Sequence, residues 1–223
     1  MSQFRSWLLA LAQETIKREG AADAAHDLDH LERVMALADL LQRREGGDLP
    51  TIWAAVALHD IGQERERLHG GDHAIIGADM AAYLLTGTIF PQQAIPAVQD
   101  AIREHRMTGG MMPRSIEGRI LYDADKLDGL GAVGIGRLFC ITGRYNQKVF
   151  SRLPDDIAAP SDPLMVRELR RRPDYSPSIE FALLFSNLPD RMATATGRQL
   201  AQERYEYMAE FFARLEKEVA GEL

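Results

Sequence analysis

The placement of its histidines constrains this chain more than any other feature of its sequence. All six histidines of the 223 residues lie between positions 26 and 105. Four of them continue the apolar stripe of a helical pattern, at spacings of three or four residues from apolar neighbours such as Val34 and Val56. We therefore expect four imidazoles, each on a different helix, to point into one core: His30, His59, His73 and His105.

Several buried imidazoles indicate a shared site. A single inward histidine is most often a core residue with satisfied hydrogen bonds, but each further one adds polar atoms that need partners. Neutral imidazole is also the commonest metal ligand in proteins. His26 and His69 break the apolar spacing, and we expect them in caps or loops.

Two carboxylates complete a set of metal ligands. Asp60 directly follows His59, and Asp125 lies four residues after Leu121, on the inward side of its predicted helix. Nitrogen and carboxylate ligands without thiolate suit Mn, Fe, Co, Ni, Zn or, less well, Mg. Cys140 is the single cysteine, which excludes a zinc site built from cysteines.

The same periodicity predicts an all-α fold. No stretch alternates apolar and polar residues long enough to indicate a strand. With 46% hydrophobic residues, the chain is long enough to bury a sizeable core. We predict one domain over residues 1–223, with a helical core at about 20–147 and a C-terminal closing helix at about 188–220. An N-terminal helix is predicted near 2–19, and the core helices are predicted near 28–45, 50–61, 73–86, 91–106, 115–128 and 130–147.

Residues 150–178 differ from the rest, because they hold five of the ten prolines. We expect a long proline-rich loop or lid containing a short helix, since long loops in compact domains are usually functional. A solvated connection is the alternative. The arginines within 167–172 either hold phosphates or form a solvated face.

Charge and hydropathy exclude other classes of protein. The net charge of −7 argues against broad binding to nucleic acids or membrane surfaces. The longest apolar run, Thr51–Leu58, is too short for the roughly 20 residues of a membrane span. Because no signal peptide is recognised, we expect a cytoplasmic protein.

The ordered ligand set carries a family resemblance. His30, then His59-Asp60, then Asp125 within "YDADKLDGLGAVGIGRLF" resembles the HD superfamily of metal-dependent phosphohydrolases. The segments "AAHDLDHLERV", "ALHDIG", "AIREH" and "LPDRMATATGRQLAQERYEYM" are similar to a bacterial subgroup of stand-alone HD hydrolases. Some members of that subgroup cleave nucleoside triphosphates. The resemblance implies an HD-type helical bundle with a metal site in its core.

The resemblance also implies roles for individual residues. It assigns the metal to four ligands: His30, His59, Asp60 and Asp125. His73 matches a histidine that acts as an acid near the leaving group, and His105 matches an extra ligand of dinuclear HD enzymes. Lys126 matches a position that can touch substrate phosphate, although a simple pairing with Asp123 or Asp128 is the alternative.

The predicted function is therefore metal-dependent hydrolysis of a phosphoester or phosphoanhydride bond in a small molecule, with a nucleotide as the expected substrate. A divalent metal activates water near neutral pH, and Asp60 is placed to bind that metal and to orient the water. His73 supplies a proton to the leaving oxygen. A homodimer is left open.

Two alternatives remain at this point. Related sequences often carry a lysine-rich segment where this chain reads Leu184–Pro189, and residues 150–178 match poorly. These departures favour a module that keeps the metal and senses a nucleotide without cleaving it. The extra nitrogens of His73 and His105 favour a dinuclear enzyme instead, either a two-metal hydrolase or an oxygen-using di-iron protein.

Overall fold

The structure is a computed structural model, and it describes residues 2–20, 28–106, 112–153, 169–170 and 172–223. Within these ranges every regular element is a helix, so the all-α prediction is confirmed. The α-helices are α1 (Ser2–Glu19), α2 (Leu28–Glu45), α3 (Leu49–Leu58), α4 (Gln63–His69), α5 (His73–Leu85), α6 (Ile95–Arg103), α7 (Ile116–Asp128), α8 (Gly131–Arg144), α9 (Pro177–Glu180) and α10 (Ala195–Ala220). A π-helical turn, Phe181–Phe185, continues α9, and 3₁₀ turns span Gln92–Ala94 and Pro189–Arg191.

The predicted helices are present, with ends that shift by a few residues. The helix predicted at 50–61 ends at Leu58, because the chain turns there before a separate helix begins at Gln63. That separate helix, α4, was not predicted. Its sequence is QERERLH and it buries no residue, so it carries no apolar periodicity that a sequence pattern could reveal.

Helix α3, which directly precedes two predicted site residues, is buried over most of its length. All residues from Thr51 to Leu58 are buried, as expected of a helix that is apolar on every side. Asp48 caps its N-terminus by accepting hydrogen bonds from the backbone N–H and the hydroxyl of Thr51, at 3.0 and 2.6 Å. Helices α1, α2, α5 and α6 contact α3. The residues that follow α3, His59 and Asp60, are therefore held at the end of a rigid central helix.

Two glycines let the turn after α3 lie directly on α5. A Cβ atom on Gly62 would stand 2.4 Å from the carbonyl oxygen of His73 and 2.7 Å from the backbone nitrogen of Gly77. A Cβ atom on Gly77 would stand 3.2 Å from the carbonyl oxygen of His59. This backbone contact fixes the distance between the His59-Asp60 pair and the start of α5.

The chain forms two compact units. The first comprises Met1–Lys126 with Ala193–Thr196, and the second comprises Leu127–Met192 with Gly197–Leu223. In the second unit, Tyr175, Ile179 and Leu183 form a small apolar core, and the ring of Phe181 stacks on that of Phe212 at 4.7 Å. A single domain over 1–223 stays a prediction.

Part of the predicted lid lies outside the described residues, namely 154–168 and 171. Near its predicted end, the structure places the short helix α9, which begins at Pro177. No helix among the described residues has the length and apolar character that crossing a membrane requires.

We expect Gly62→Ala to destabilise the protein. The new methyl group would overlap the backbone of α5, and overpacking of this kind costs about 1–3 kcal/mol. Gly136→Ala is the control, because no heavy atom lies within 4 Å of a Cβ at that helical position. Alanine there should be neutral or stabilise by roughly 0.5–1 kcal/mol. Urea unfolding of both variants measures the difference, and equal stabilities would contradict the close contact.

Candidate metal centre

Five helices bring the predicted ligands together in the first unit. His30 lies on α2, His59 and Asp60 follow α3, and His73 is the first residue of α5. His105 lies just beyond the end of α6, and Asp125 lies on α7. The helical phase of the sequence correctly predicted inward histidines: the exposed fraction is 1% for His30, 0% for His59 and 2% for His105.

The remaining histidines differ from these three. The side chain of His73 is 12% exposed, so it reaches both the cluster and solvent. His69 ends α4 and is exposed, as expected for a peripheral residue. His26 lies outside the described residues.

A first set of donors comprises His30, His59 and Asp60, with one ligand atom from each within 4.8 Å of the others. The Nε2 atoms of His59 and His30 lie 3.2 and 4.0 Å from Asp60 Oδ2. Asp125 approaches from α7, with its Oδ1 atom 3.6 Å from His30 Nε2 and 3.8 Å from His59 Nε2. All four predicted ligands therefore converge on one small volume.

A second set comprises Asp60, His73 and His105, again within 4.8 Å. The Oδ1 atom of Asp60 lies 3.7 Å from His73 Nε2 and 3.7 Å from His105 Nε2. The two Nε2 atoms lie 3.4 Å apart. Asp60 thus faces one set with Oδ2 and the other with Oδ1.

Hydrogen bonds fix which nitrogen of each ring faces the cluster. The Nδ1 atom of His59 lies 2.8 Å from the carbonyl oxygen of Val56, and Nδ1 of His105 lies 2.6 Å from that of Ile102. A carbonyl oxygen only accepts, so each Nδ1 carries the proton and donates it. In a neutral ring Nε2 then presents a lone pair, which is how histidines bind metals.

Buried charges set the protonation of the cluster. Burial by itself lowers the pKa of His59, but the charges of Asp60 and Asp125 outweigh it and raise that pKa to about 9. Burial lowers the pKa of His105, whose ring is therefore neutral at pH 7. Burial opposes ionisation of Asp125, yet the charges of Lys126 and His59 hold its pKa well below the usual range. A divalent cation is favoured by the same carboxylates that favour a proton on His59.

Lys126 has a partner that neither interpretation of the sequence had named. Its Nζ atom donates to Asp125 Oδ2 at 2.6 Å and lies 5.4 Å from the ring centroid of Tyr122. The alternative pairing with Asp123 or Asp128 is not what these contacts show. Burial lowers the pKa of Lys126, but the charge of Asp125 outweighs it and raises the pKa, so the side chain stays cationic.

The arginines predicted near phosphates have structural partners where they are described. In the second unit, Arg170 pairs with the buried Glu180, and Arg172 pairs with Asp174 at 2.8 Å. Arg167 and Arg171 lie outside the described residues. The departure at Leu184–Pro189 also has a structural account, since Phe185, Leu188 and Pro189 are buried in packing.

Sequence reasoning missed two residues beside the cluster. Glu66 on α4 accepts a hydrogen bond from His73 Nδ1 at 2.7 Å, and Arg106 donates to Glu66 Oε1 at 3.3 Å. Neither residue follows an apolar periodicity, and they are 40 positions apart in sequence. They meet because α4 and α6 both pack against α5.

The donors present fit a divalent cation. Among the described residues, the buried Nε2 atom of His59 forms no hydrogen bond of regular geometry, and the carboxylate oxygens Asp60 Oδ2 and Asp125 Oδ1 lie 3.2 and 3.8 Å from it. Such an atom is costly to bury unless it binds something, with a penalty of roughly 1–3 kcal/mol. Imidazole nitrogens and carboxylate oxygens suit the first-row divalent metals.

The residues of the cluster lie in a region of the sequence that matches a known protein family. The sequence model of a family described as HD domain matches residues 27–130, which include every predicted ligand. A predicted HD superfamily hydrolase from an uncultured Thermotogales bacterium, whose crystal structure is known, is 31% identical. The match covers 96% of this chain and 91% of that chain, with a TM-score of 0.65.

Two Bacillus proteins are similar over nearly the whole chain. An HD-superfamily hydrolase from Bacillus thuringiensis is 25% identical, with 98% of each chain covered and a TM-score of 0.71. YpgQ from Bacillus subtilis is 26% identical over 98% of this chain and 93% of its own length. The crystal structure of YpgQ in complex with ADP matches 97% of this chain and 93% of that chain, with a TM-score of 0.63.

We expect Asp123→Asn to lower the free energy of unfolding. Asp123 is fully buried and accepts three hydrogen bonds, from the backbone N–H of Ala193 at 2.7 Å and from the N–H and hydroxyl of Thr194 at 2.8 and 2.6 Å. An amide NH₂ would face one of these donors, at a cost of about 1–3 kcal/mol. Urea unfolding measures this loss against Asp190→Asn, an exposed position. Equal stabilities would show that Asp123 does not anchor the segment at 193–194.

Proposed function

The chain belongs to the HD superfamily, and from this premise we propose that it is a metal-dependent phosphohydrolase. It cleaves a phosphoester or phosphoanhydride bond of a small phosphorylated molecule, and its substrate is a nucleotide. The observation that carries the proposal is the buried cluster in which imidazole Nε2 atoms surround the carboxylate of Asp60. A cluster of this kind has no structural purpose that apolar residues would not serve better.

In this proposal the cation is held by His30, His59, Asp60 and Asp125, whose donor atoms converge from three helices. A bound divalent metal neutralises the phosphate oxygens and lowers the pKa of a water molecule. Asp60 faces the first set of donors with Oδ2, and we assign its other oxygen, Oδ1, to orienting the attacking water.

His73 and Lys126 complete the proposed machinery. His73 is the most exposed of the clustered histidines, so its Nε2 atom can approach a substrate and give a proton to the leaving oxygen. The ammonium group of Lys126 is held beside the cluster by Asp125 and is 18% exposed, which suits contact with a phosphate oxygen. The net charge of −7 does not oppose an anionic substrate, because the cation and Lys126 dominate the local field.

A nucleotide is the substrate class best supported by the comparisons. YpgQ, which is similar over nearly the whole chain, forms a crystalline complex with ADP. A nucleoside di- or triphosphate offers both a phosphoanhydride bond to cleave and further phosphates for Lys126 to hold.

We expect the metal-loaded protein to release phosphate or pyrophosphate from at least one nucleotide in a screen of nucleotides and generic phosphoesters. His59→Ala combined with Asp60→Ala should lower that activity by at least about 100-fold, because it removes the donors that the proposal places on the cation. His69→Ala is the matched control, since this histidine is exposed and belongs to neither set of donors.

Activity that survives the double substitution would contradict the proposal. Tight binding of a nucleotide without turnover would instead support the sensing module. The absence of lysines in Leu184–Pro189 favours that alternative. Isothermal titration with a nucleotide, run beside the activity screen, separates these two outcomes.

A dinuclear centre is a second candidate, favoured by the two donor sets that share Asp60. If it forms, the purified protein should contain about two metal ions per chain, and His105→Ala should reduce this to about one, because it removes a donor of the second set and leaves the first set complete. Elemental analysis by mass spectrometry measures the ratio. One metal per chain at saturation in the unsubstituted protein would exclude this candidate.

A further inference from the structure

Among the clustered histidines, the Nδ1 atoms of His59, His105 and His73 are held in two different ways. His59 and His105 each donate Nδ1–H to the carbonyl of the residue three positions earlier, which is Val56 or Ile102. His73 is the first residue of α5, so its own helix contains no earlier carbonyl. Its Nδ1 atom instead lies 2.7 Å from a carboxylate oxygen of Glu66 on α4.

Glu66 is itself held in place. Arg106 Nη1 lies 3.3 Å from Glu66 Oε1 and 2.9 Å from Oδ1 of Asp72. Asp72 is the residue that caps α5, where its carboxylate accepts the backbone N–H of Ala74 at 2.9 Å. One guanidinium group therefore ties the carboxylate of Glu66 to the start of the helix that carries His73.

We propose that Glu66 is a positioning residue for His73, and that Arg106 in turn positions Glu66. A carboxylate only accepts, so it keeps the His73 proton on Nδ1 and turns Nε2 toward Asp60, 3.7 Å away. Without this acceptor the ring can rotate about its bond to Cβ, or can carry its proton on Nε2. With its Nδ1–H held by Glu66, His73 gives the leaving oxygen a second proton, which the Nε2 atom of the imidazolium ring carries, and this inference rests on that proposed role.

A neighbouring glutamate provides a matched control. Glu64 lies on the same short helix, but it pairs with the exposed Arg67, and within the described part of the chain it forms no hydrogen bond or ion pair with a histidine. Glu66→Ala and Glu64→Ala therefore remove the same charge from the same helix. Alanine is the best helix former, so α4 itself is preserved in both variants.

The first measurement is long-range ¹⁵N–¹H NMR spectroscopy of the metal-free protein, with the His73 signal identified by its loss in His73→Gln. We expect Nδ1–H in the unsubstituted protein and in Glu64→Ala. In Glu66→Ala, the Nε2–H form should appear. A His73 ring without a proton on Nδ1 in the unsubstituted protein, or an unchanged spectrum in Glu66→Ala, would overturn the proposal.

The second measurement is steady-state kinetics of the metal-loaded protein on its best nucleotide. In Glu66→Ala, kcat should fall about 10- to 100-fold while KM changes little, because the proposed function assigns phosphate binding to Lys126 and not to His73. Added acetate should restore part of kcat by occupying the place of the lost carboxylate, which a merely structural defect would not allow. Arg106→Gln should give a smaller loss in kcat. A kcat for Glu66→Ala equal to that of Glu64→Ala would overturn the proposal.

The two measurements also separate this inference from the proposed function. If the unsubstituted protein releases no phosphate from any nucleotide, the proposed function fails. The NMR result on the metal-free protein still decides whether Glu66 positions His73.

Discussion

The structure of the first unit depends on the carboxylate of Asp60, which is only 11% exposed, and on the imidazoles around it. Each polar atom removed from water costs free energy unless it finds a partner, and an ionised carboxylate costs the most. The Nδ1 atoms of His59 and His105 are satisfied by carbonyls of their own helices, and Asp125 is satisfied by Lys126. The Nε2 atom of His59 faces the carboxylates of Asp60 and Asp125, where either a proton or a cation would be stabilised.

The backbone supplies the rigidity that this cluster needs. Helix α3 is buried throughout, and Gly62 allows the following turn to lie on the backbone of α5. Sites built on packed helices hold their side chains more accurately than sites on loops. The geometry of the cluster is therefore decided by main-chain packing before any cation binds.

The segment Asp123–Asp128 shows how helical position divides similar residues among different tasks. Asp123 anchors the segment at 193–194, Asp125 faces the cluster, and Asp128 accepts a hydrogen bond from Arg137 in the second unit. Because these positions point in different directions from one helix, three aspartates serve three separate purposes. Lys126 follows Asp125 and neutralises it, which keeps that carboxylate ionised without removing it from the cluster.

Much of this arrangement could be predicted from the sequence, and the reasons are physical. Helical phase predicted that His30, His59 and His105 are inward, because an apolar stripe marks the buried face. The resemblance to the HD superfamily, carried by the order of those residues, is confirmed by the comparisons.

The surroundings of the cluster could not be predicted in the same way. Helix α4 has a single apolar residue, Leu68, and it is exposed, so no apolar periodicity predicted the helix or the position of Glu66. The contact between Glu66 and Arg106 joins residues 40 positions apart, and the pairing of Lys126 with its direct neighbour depends on which charges the fold leaves within reach. Supporting contacts of this kind arise from tertiary packing, so the periodicity of apolar residues in the sequence does not predict them.

Pulsed EPR spectroscopy of the manganese-loaded protein tests most directly whether these imidazoles bind a cation. If they do, the spectrum should contain ¹⁴N couplings from directly bound histidine nitrogens, and His59→Ala should remove part of that coupling while His69→Ala leaves it unchanged. A manganese spectrum without any ¹⁴N coupling would contradict the metal centre on which the proposed chemistry depends.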